Sequence, residues 1–568
     1  MAVLILTLAV LALRLHHVGR GLPCLTEPDA HLPALALHLA GGGSVVGDDE
    51  FLSIYPHLVA RLAQPFSGRR EAAPGEGWGL QRHLEEASRP YLAVRRVVAA
   101  LSVLLVPATW LLARLVLAPG WAFFAAALTA TSLLDLSFSQ QARPHAAAAG
   151  LALLAVVAAV RVRRRGDTGS YLLAGIAAGL ALGTLQSTAP ALLALLAAHL
   201  LRETPRRRWL EPRALLAILP ILAALAVFRP YLFTGLVDLS GGRFQVASQS
   251  VKLSDFRGGG FATIVRTLAS YEPLTLGLAV LGALVWLGRW RVPRPADPRA
   301  SWRDLAVLAA YVGPYALVIG LYGRTWERFV LPLVPYVACL GAWGACQLVR
   351  RATQGLERPA RGAVATALAL AALALPAWAS LRLVGLRRQP DTLALTGRWL
   401  IENVRREDQR VRIHPALDVP LARAEACLVR DGVLRPEIFK PWEVYQGFLA
   451  PGTDLGPRYW IEKMLLPIAL HPAIERAPRT YLESLGADYF VVFTPTTSLG
   501  PPASDRVHET LQREGTLLAR FPPWSGPGAP PLSRFQDPPG AGSFTRLALT
   551  AVALGPSIEV YALSRRGE

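Results

Sequence analysis

The acidic motif Glu27-Pro28-Asp29 stands just after the first membrane-length apolar run of this 568-residue chain. A carboxylate at the exit of a first transmembrane helix lies at the level of lipid headgroups. There one reactant can be anchored in lipid while the other arrives from water. A side chain so placed can take the proton of a hydroxyl as that hydroxyl attacks. Asp29 also precedes a helical run, 30–40, and can cap it; the two roles are compatible. Glu27 is placed to tune Asp29, because a like charge beside a carboxylate disfavours the ionised form.

The elements that must hold these residues are apolar. Hydrophobic residues make up 52% of the chain and charged residues 17%, with a mean hydropathy of +0.35. That is too apolar for an ordinary soluble protein of several domains. Eleven runs, at about 2–18, 93–117, 121–138, 146–161, 171–186, 188–201, 213–230, 273–290, 303–321, 329–349 and 362–384, read as membrane helices, each near the ~20 residues a bilayer core demands. The short pair 171–186 and 188–201 also reads as a hairpin that does not fully cross. The first run has no Arg or Lys before it and no small-residue cleavage site, so it reads as a retained helix.

Positive charge in short loops gives the orientation. Arg161 to Arg165, Arg202 to Arg208, Arg289 to Arg294 and Arg350 to Arg361 bound four arginine-bearing loops. All four fall on one side if the eleven spans alternate from a cytoplasmic N-terminus. Residues 19–92, residues 231–272 and the tail after about 385 are then extracytoplasmic. The net charge of +19 therefore suits anionic headgroups beside the helices, and nucleic acid is excluded as a partner. Four cysteines give no disulfide framework. No Walker-type loop or GxGxxG is present, which argues against nucleotide-driven chemistry.

In the first outer segment, 29–40 and 51–64 have apolar positions at helical spacing and read as amphipathic helices on the membrane surface. Asp48-Asp49-Glu50 forms an acidic turn between them. The glycines at 241–242 and 258–260 suit a flexible cover. After 385 the chain reads as a small α/β domain: a helix at 391–404, a strand-like run at 488–493, and an irregular Pro-rich insertion at 498–545. The expected fold is thus a polytopic α-helical membrane protein of about eleven spans, with outer-surface amphipathic helices. Residues 1–384 form the transmembrane catalytic part, with outer loops 19–92 and 231–272, and 385–568 form the extracytoplasmic domain.

Several stretches together resemble the integral-membrane glycosyltransferases of the GT-C fold, most of all the family of protein O-mannosyltransferases and lipid A aminoarabinose transferases. LPCLTEPDAHLPALALHLAGG resembles that family's first outer loop, and YPHLVARL at 55–62 its continuation. SQQARPHAAAAGLAL at 139–153 resembles the segment opening the fourth helix, and RFVLPLVPYVACLGA at 328–342 the start of a late helix. DTLALTGRWLIENV and YLESLGADYFVVF resemble parts of a common outer domain. Two positions depart from the pattern. Ala30 follows Asp29 where the family has an Asp-Glu pair, and His145 replaces an acid. Glu27, Asp48, Asp49 or Glu50 can substitute only if the fold brings one of them near.

The resemblance implies a glycosyltransferase at the plasma (inner) membrane, acting on its outer face. It would move a sugar from a polyprenyl-phosphate carrier to a lipid, glycan or protein acceptor, with membrane lipids around it. Asp29 is then the base. Arg143, with Arg328, Arg324 and Arg243, meets the lipid phosphate, since a guanidinium fork matches phosphate oxygens. His57 falls where relatives carry a basic phosphate contact, and Tyr55, His145 and Glu27 complete the substrate-binding set. A divalent metal stays open as a cofactor, with no ligand set in the sequence. Two other readings remain: a lipid-linked-sugar transporter or flippase, and a non-catalytic GT-C relative that binds lipid. A transporter calls for ionisable groups near the bilayer midplane.

Overall fold

Helices form at each of the eleven apolar runs. The computed structural model describes residues 1–24, 31–43, 55–68, 79–202, 212–229, 237–238, 243–246, 249–287, 301–405, 408–415, 417–430, 456–464, 471–493, 502–523 and 544–563. Glu27, Asp29, Ala30, Asp48, Asp49 and Glu50 lie outside these residues, as do Arg206 to Arg208 and Arg289 to Arg294.

In chain order the helices that matter here begin with α1 (Ala2–Leu15), α2 (His31–Ala40), α3 (Leu58–Ala63), α4 (Leu80–Ser102), α5 (Leu105–Ala113), α6 (Pro119–Ala130), α7 (Leu133–Ser139) and α8 (His145–Arg165). They continue with α9 (Thr168–Leu182), α10 (Pro190–Leu200), α11 (Leu215–Phe228), α12 (Gly259–Tyr271), α13 (Pro273–Leu287), α14 (Trp302–Leu321), α15 (Val334–Ala352), α16 (Arg358–Leu386) and α17 (Thr392–Asn403). Among the described residues, five stretches are long and apolar enough to cross a membrane: Leu80–Ala113, His145–Arg165, Trp302–Leu321, Glu327–Ala352 and Arg358–Leu386. The number rises to seven if each of two bent pairs is one span. Length alone therefore does not give the expected eleven. The first run yields a helix of only 14 residues, and α9, α10 and α11 have 15, 11 and 14, below the ~20 of a full crossing.

Helix α8 is the centre of the bundle. It touches α4, α5, α9, α10, α14 and the 3-10 segment Glu327–Leu333. After His145 it runs through Ala146 to Ala149 and Gly150, so neighbours approach closely, and Ala146 to Ala149 are all buried. Small residues do the same elsewhere: a methyl group at Gly344 on α15 would lie 2.6 Å from the Leu278 carbonyl and 2.7 Å from Gly282 N on α13.

The two bends are tied together. Helix α6 turns into α7 by 51°, and α12 into α13 by 119°. Ser132 Oγ caps α7 by accepting from Asp135 N at 3.1 Å, and donates to Glu272 at 2.6 Å. Leu134 N also donates to Glu272, at 3.1 Å. A carboxyl at the second bend thus satisfies the helix start created by the first. Two buried sets of charges are paired at helix ends. Arg14, in the last turn of α1, pairs with Asp135 and donates to Ser102 Oγ at 3.0 Å. Asp304, in the capping box of α14, pairs with Arg163 at 2.5 Å and Arg164 at 3.1 Å.

Several expectations for the extramembranous segments change. Helix α2 is not a surface helix: Leu32 through Ala36 and Leu39 are buried against α3 and α4. The reason is its sequence, in which only His31 and His38 are polar. Of the expected 51–64 helix, residues 51–54 lie outside the described residues and α3 starts at Leu58. In 231–272, Gly241 and Gly242 lie outside the described residues, and the glycines at 258–260 do not form a loose cover. Gly258, at φ +84°, starts α12, and Gly260 packs against the Ile319 and Tyr322 carbonyls beside α14. Before α12 come three antiparallel strands, β1 (Val237–Asp238), β2 (Arg243–Val246) and β3 (Gln249–Lys252).

Past α17 the chain builds a mixed sheet from β4 (Val411–Ile413), β5 (Ile461–Lys463), β6 (Tyr489–Phe493), β7 (Thr516–Phe521) and β8 (Ile558–Ala562), in the order β5-β4-β6-β8-β7. Strands β4, β5 and β6 are parallel, and β8 is antiparallel to β6 and β7. Asp391 caps α17 by accepting from Ala394 N at 2.8 Å. The expected irregular insertion at 498–545 contains regular structure, the helix Pro502–Glu514 and β7; its prolines mask the amphipathic HETLQRE and the apolar TLLARF. Cys24 is buried in the same core as Leu393, Val491 and Val560. The helix Phe544–Thr550 returns to the bundle, where Phe544 stacks on Tyr271 at 4.4 Å.

Because backbone faces Gly344, Gly344→Ala should destabilise the protein by about 1–3 kcal/mol. Gly277→Ala, on α13 with open space around it, should be neutral or slightly stabilising. Thermal unfolding of the detergent-purified chain measures both; equal melting temperatures for the two variants would remove the tight α13–α15 contact.

Candidate functional site

The segment Tyr55-Pro56-His57 is pinned by its backbone to the ends of two helices. His57 N donates to Phe228 O at 2.9 Å, and Leu58 N to Gly183 O at 3.1 Å. This brings the start of α3 against the ends of α9 and α11. His57 is fully buried. Burial, reinforced by the charges of Arg61 and Arg229, lowers its pKa to about 4. At neutral pH His57 is therefore a neutral hydrogen-bonding group, not a cation. The positive charge comes from Arg229, buried and donating to Gln186 Oε1 at 2.5 Å, and from Arg61, one turn along α3.

The second part of the site is the start of α8. Gln140 Nε2 donates to Arg14 O at 2.6 Å and His16 O at 3.2 Å, so the 140–145 turn lies against the exit of α1. Arg143 is 1% exposed and donates to Gln141 Oε1 at 3.2 Å. His145 is buried, and the charges of Arg328 and Arg143 act on it. Its Nδ1, with Gln141 Nε2, is buried and has no hydrogen-bond partner among the described residues. Such groups are costly unless something else satisfies them.

Aromatic rings connect the two parts. The Tyr55 ring lies 5.8 Å from His31 and 6.3 Å from His145, edge to face in both cases. His145 lies 5.5 Å from Phe329. The Arg328 guanidinium sits over Phe329 at 5.3 Å and over Trp326 at 5.4 Å. Tyr315 on α14 donates to Phe329 O at 2.8 Å and so fixes the 3-10 segment that carries Arg328. A buried arginine, Arg143, near a half-buried one with aromatic walls, Arg328, suits an oxyanion joined to an apolar or sugar moiety.

Of the residues singled out in the sequence, Tyr55, His57, Arg143, His145 and Arg328 fall in this region. Arg324 does not join them: its side chain is 67% exposed and faces Asp255 at 3.9 Å. Arg243 stands on β2, at the register position opposite Lys252. Glu27 and Asp29 lie outside the described residues. No group of three His, Cys, Asp or Glu able to hold a metal occurs among the described residues, and no step here is routed through a metal. Sequence reading missed Arg61 and Arg229. Arg61 lies one helical turn from His57, a spacing the sequence shows; Arg229 ends the apolar run of α11, a place that does not distinguish an inward arginine from one facing headgroups.

Residues 74–233 match the family described as dolichyl-phosphate-mannose-protein mannosyltransferase. The stretch is under a third of the chain and includes Arg143 and His145. This match bears out the resemblance to GT-C membrane glycosyltransferases. No curated protein matches. Among solved structures, the oligosaccharyltransferase of Archaeoglobus fulgidus is similar at 13% identity and TM-score 0.43, covering 87% of this chain and 68% of that one. ArnT from Cupriavidus metallidurans is similar at 12% identity and TM-score 0.42, with 91% and 94% covered. Arabinofuranosyltransferase AftD from Mycobacteria is similar at 16% identity and TM-score 0.39, with 99% and 41% covered. At such scores these likenesses carry nothing about the site.

The lowered pKa of His57 has a defined consequence. Between about 4 and the ordinary 6.5, the unfolded chain binds a proton at His57 and the folded chain does not. Stability from this residue is therefore full above pH 6.5 and falls as the pH drops toward 4. The melting temperature of His57→Gln should fall less over that window than that of the unaltered protein. Parallel curves would place His57 in water.

Proposed function

We propose that this protein is an inverting glycosyltransferase that moves one sugar from a polyprenyl-phosphate carrier to an acceptor hydroxyl on the outer face of the membrane. The observation that carries the reading is the cluster of buried Arg143 and His145 with half-buried Arg328 beside the exit of α1. From that exit the chain runs directly into the segment bearing Glu27 and Asp29. The partial family match supports the same reaction class.

In this reading the acceptor oxygen attacks the anomeric carbon and forms the new C–O bond. The bond from that carbon to the phosphate oxygen breaks, and its electron pair leaves with the lipid phosphate. Asp29 accepts the acceptor's proton. Arg143 and Arg328 hold the departing phosphate, which gains negative charge as the bond breaks. Tyr55, neutral His57 and His145 bound the sugar, and Arg243 and Arg324 are assigned outer contacts with substrate. One displacement inverts the configuration at carbon. The orientation follows the arginine-bearing loops: N-terminus cytoplasmic, residues 385–568 outside, with the mixed sheet facing the acceptor.

A transporter is disfavoured by the placement of charge. Arg14–Asp135 and Arg163–Asp304 are paired at helix ends, rather than arrayed along a midplane path.

Asp29→Asn should abolish transfer from radiolabelled polyprenyl-phosphate sugar while expression and membrane insertion persist. Arg143→Ala should lower the rate by about 10²–10³. Full activity of the Asp29 variant would remove the proposed base; translocation or binding without transfer in the unaltered protein would support one of the two other readings.

A further inference from the structure

The mixed sheet past α17 changes direction at β4. From β4 the chain passes to β5 on one side, then returns past β4 to β6 on the other, and the three strands are parallel. The two connections pack on opposite faces of the sheet. After β4, Leu417, Val419 and Leu421 join the core that holds Val411, Ile413 and Val491. After β5, Ile474 and Leu482 join the core that holds Phe490 and Val492. Connections that leave for opposite faces part above the carboxyl ends of the strands between them. Open α/β sheets bind their ligands in the crevice so formed. In this sheet that point lies between β4 and β6.

Two rings meet there. His414 follows β4 directly and extends its ladder, its N donating to Val491 O at 2.9 Å. Its imidazole meets the ring of Phe493, the last residue of β6, at 4.5 Å and edge to face. Both residues are half-buried, so neither is sealed in the core. On the other side of β4, Met464 N donates to Ile413 O at 2.8 Å. Lys463, which closes β5, pairs with Asp418 and donates to Leu417 O. Backbone bonds and an ion pair thus hold the mouth of the crevice, with the two rings at its edge.

These groups define the ligand. Between Ile413 and Leu421 the chain has no glycine, and prolines stand at 415 and 420. Leu417 N and Leu421 N are taken by His414 O and Val419 O. Such a loop does not offer the glycine-rich run of backbone N–H groups that cradles a phosphate, so a nucleotide does not suit it. An aromatic ring beside a hydrogen-bonding imidazole complements a sugar, whose ring has apolar C–H faces and hydroxyl edges.

We propose that the carboxyl ends of β4 and β6 form a saccharide-binding site, with His414 and Phe493 as its contacts. It shares no residue with the cluster at the start of α8. Its use in holding an acceptor glycan rests on the transfer reading above; saccharide binding itself does not.

The test uses the full chain in a polyoxyethylene detergent, which carries no sugar. Saturation-transfer NMR follows two neutral probes, mannotriose and arabinotriose, and titration gives their dissociation constants. At least one should bind saturably, and inorganic phosphate should not displace it. His414→Ala and Phe493→Leu should each weaken binding by about threefold to tenfold. Phe493→Tyr, which keeps the ring, should bind as the unaltered protein does, and so separates loss of the ring from loss of the fold. Glu402→Gln, at an exposed position of α17, should also leave binding unchanged. Asp29→Asn should bind normally whatever its transfer activity, so failure of the reaction and failure of this site are read apart. The proposal is overturned if neither trisaccharide binds, if phosphate displaces them, or if binding is unchanged in both His414→Ala and Phe493→Leu.

Discussion

Guanidinium groups withdrawn from water must meet negative charge, and this constraint shapes the whole structure. Within the bundle it is met by partners far apart in sequence, as in Arg14 with Asp135 and Arg163 with Asp304. Where α8 begins and α1 ends, buried Arg143 and ring-packed Arg328 both act on His145, and two buried nitrogens there lack partners among the described residues. In a low-dielectric setting such groups attract an anion strongly and hold it in a fixed orientation. A phosphate on a lipid tail meets both needs, since its charge fits the arginines and its chain stays in the bilayer.

The scaffold makes this concentration of charge affordable. The Ala/Gly start of α8 lets neighbours close around it, so Arg143 and His145 are placed by packed backbone rather than by a loop. The Glu272 carboxylate at the second bend accepts from Ser132 and the Leu134 backbone at the first, which permits irregular chain inside an apolar bundle. Tyr315 then fixes the segment bearing Arg328.

Much of the helical layout was legible because apolar runs of sufficient length have few other uses. Their number as true crossings was not, since α1, α9, α10 and α11 are short and composition cannot say how a short helix sits. Helix α2 shows a second limit: helical spacing was correct, but the absence of polar residues on its far face, which signals burial, outweighed it. Tyr55, His57, Arg143, His145 and Arg328 were readable from motifs. Arg229 was not, because an arginine closing an apolar run looks the same whether it meets lipid headgroups or turns inward. The Asp135 partner of Arg14 lies 121 residues away, and no local pattern encodes it.

The most direct measurement is a structure of the protein with a polyprenyl phosphate bound. The account requires the phosphate within hydrogen-bond reach of Arg143 and Arg328, with the Asp29 carboxylate facing the oxygen that would carry the sugar. A phosphate seated away from both arginines, or an Asp29 turned from it, would contradict the account.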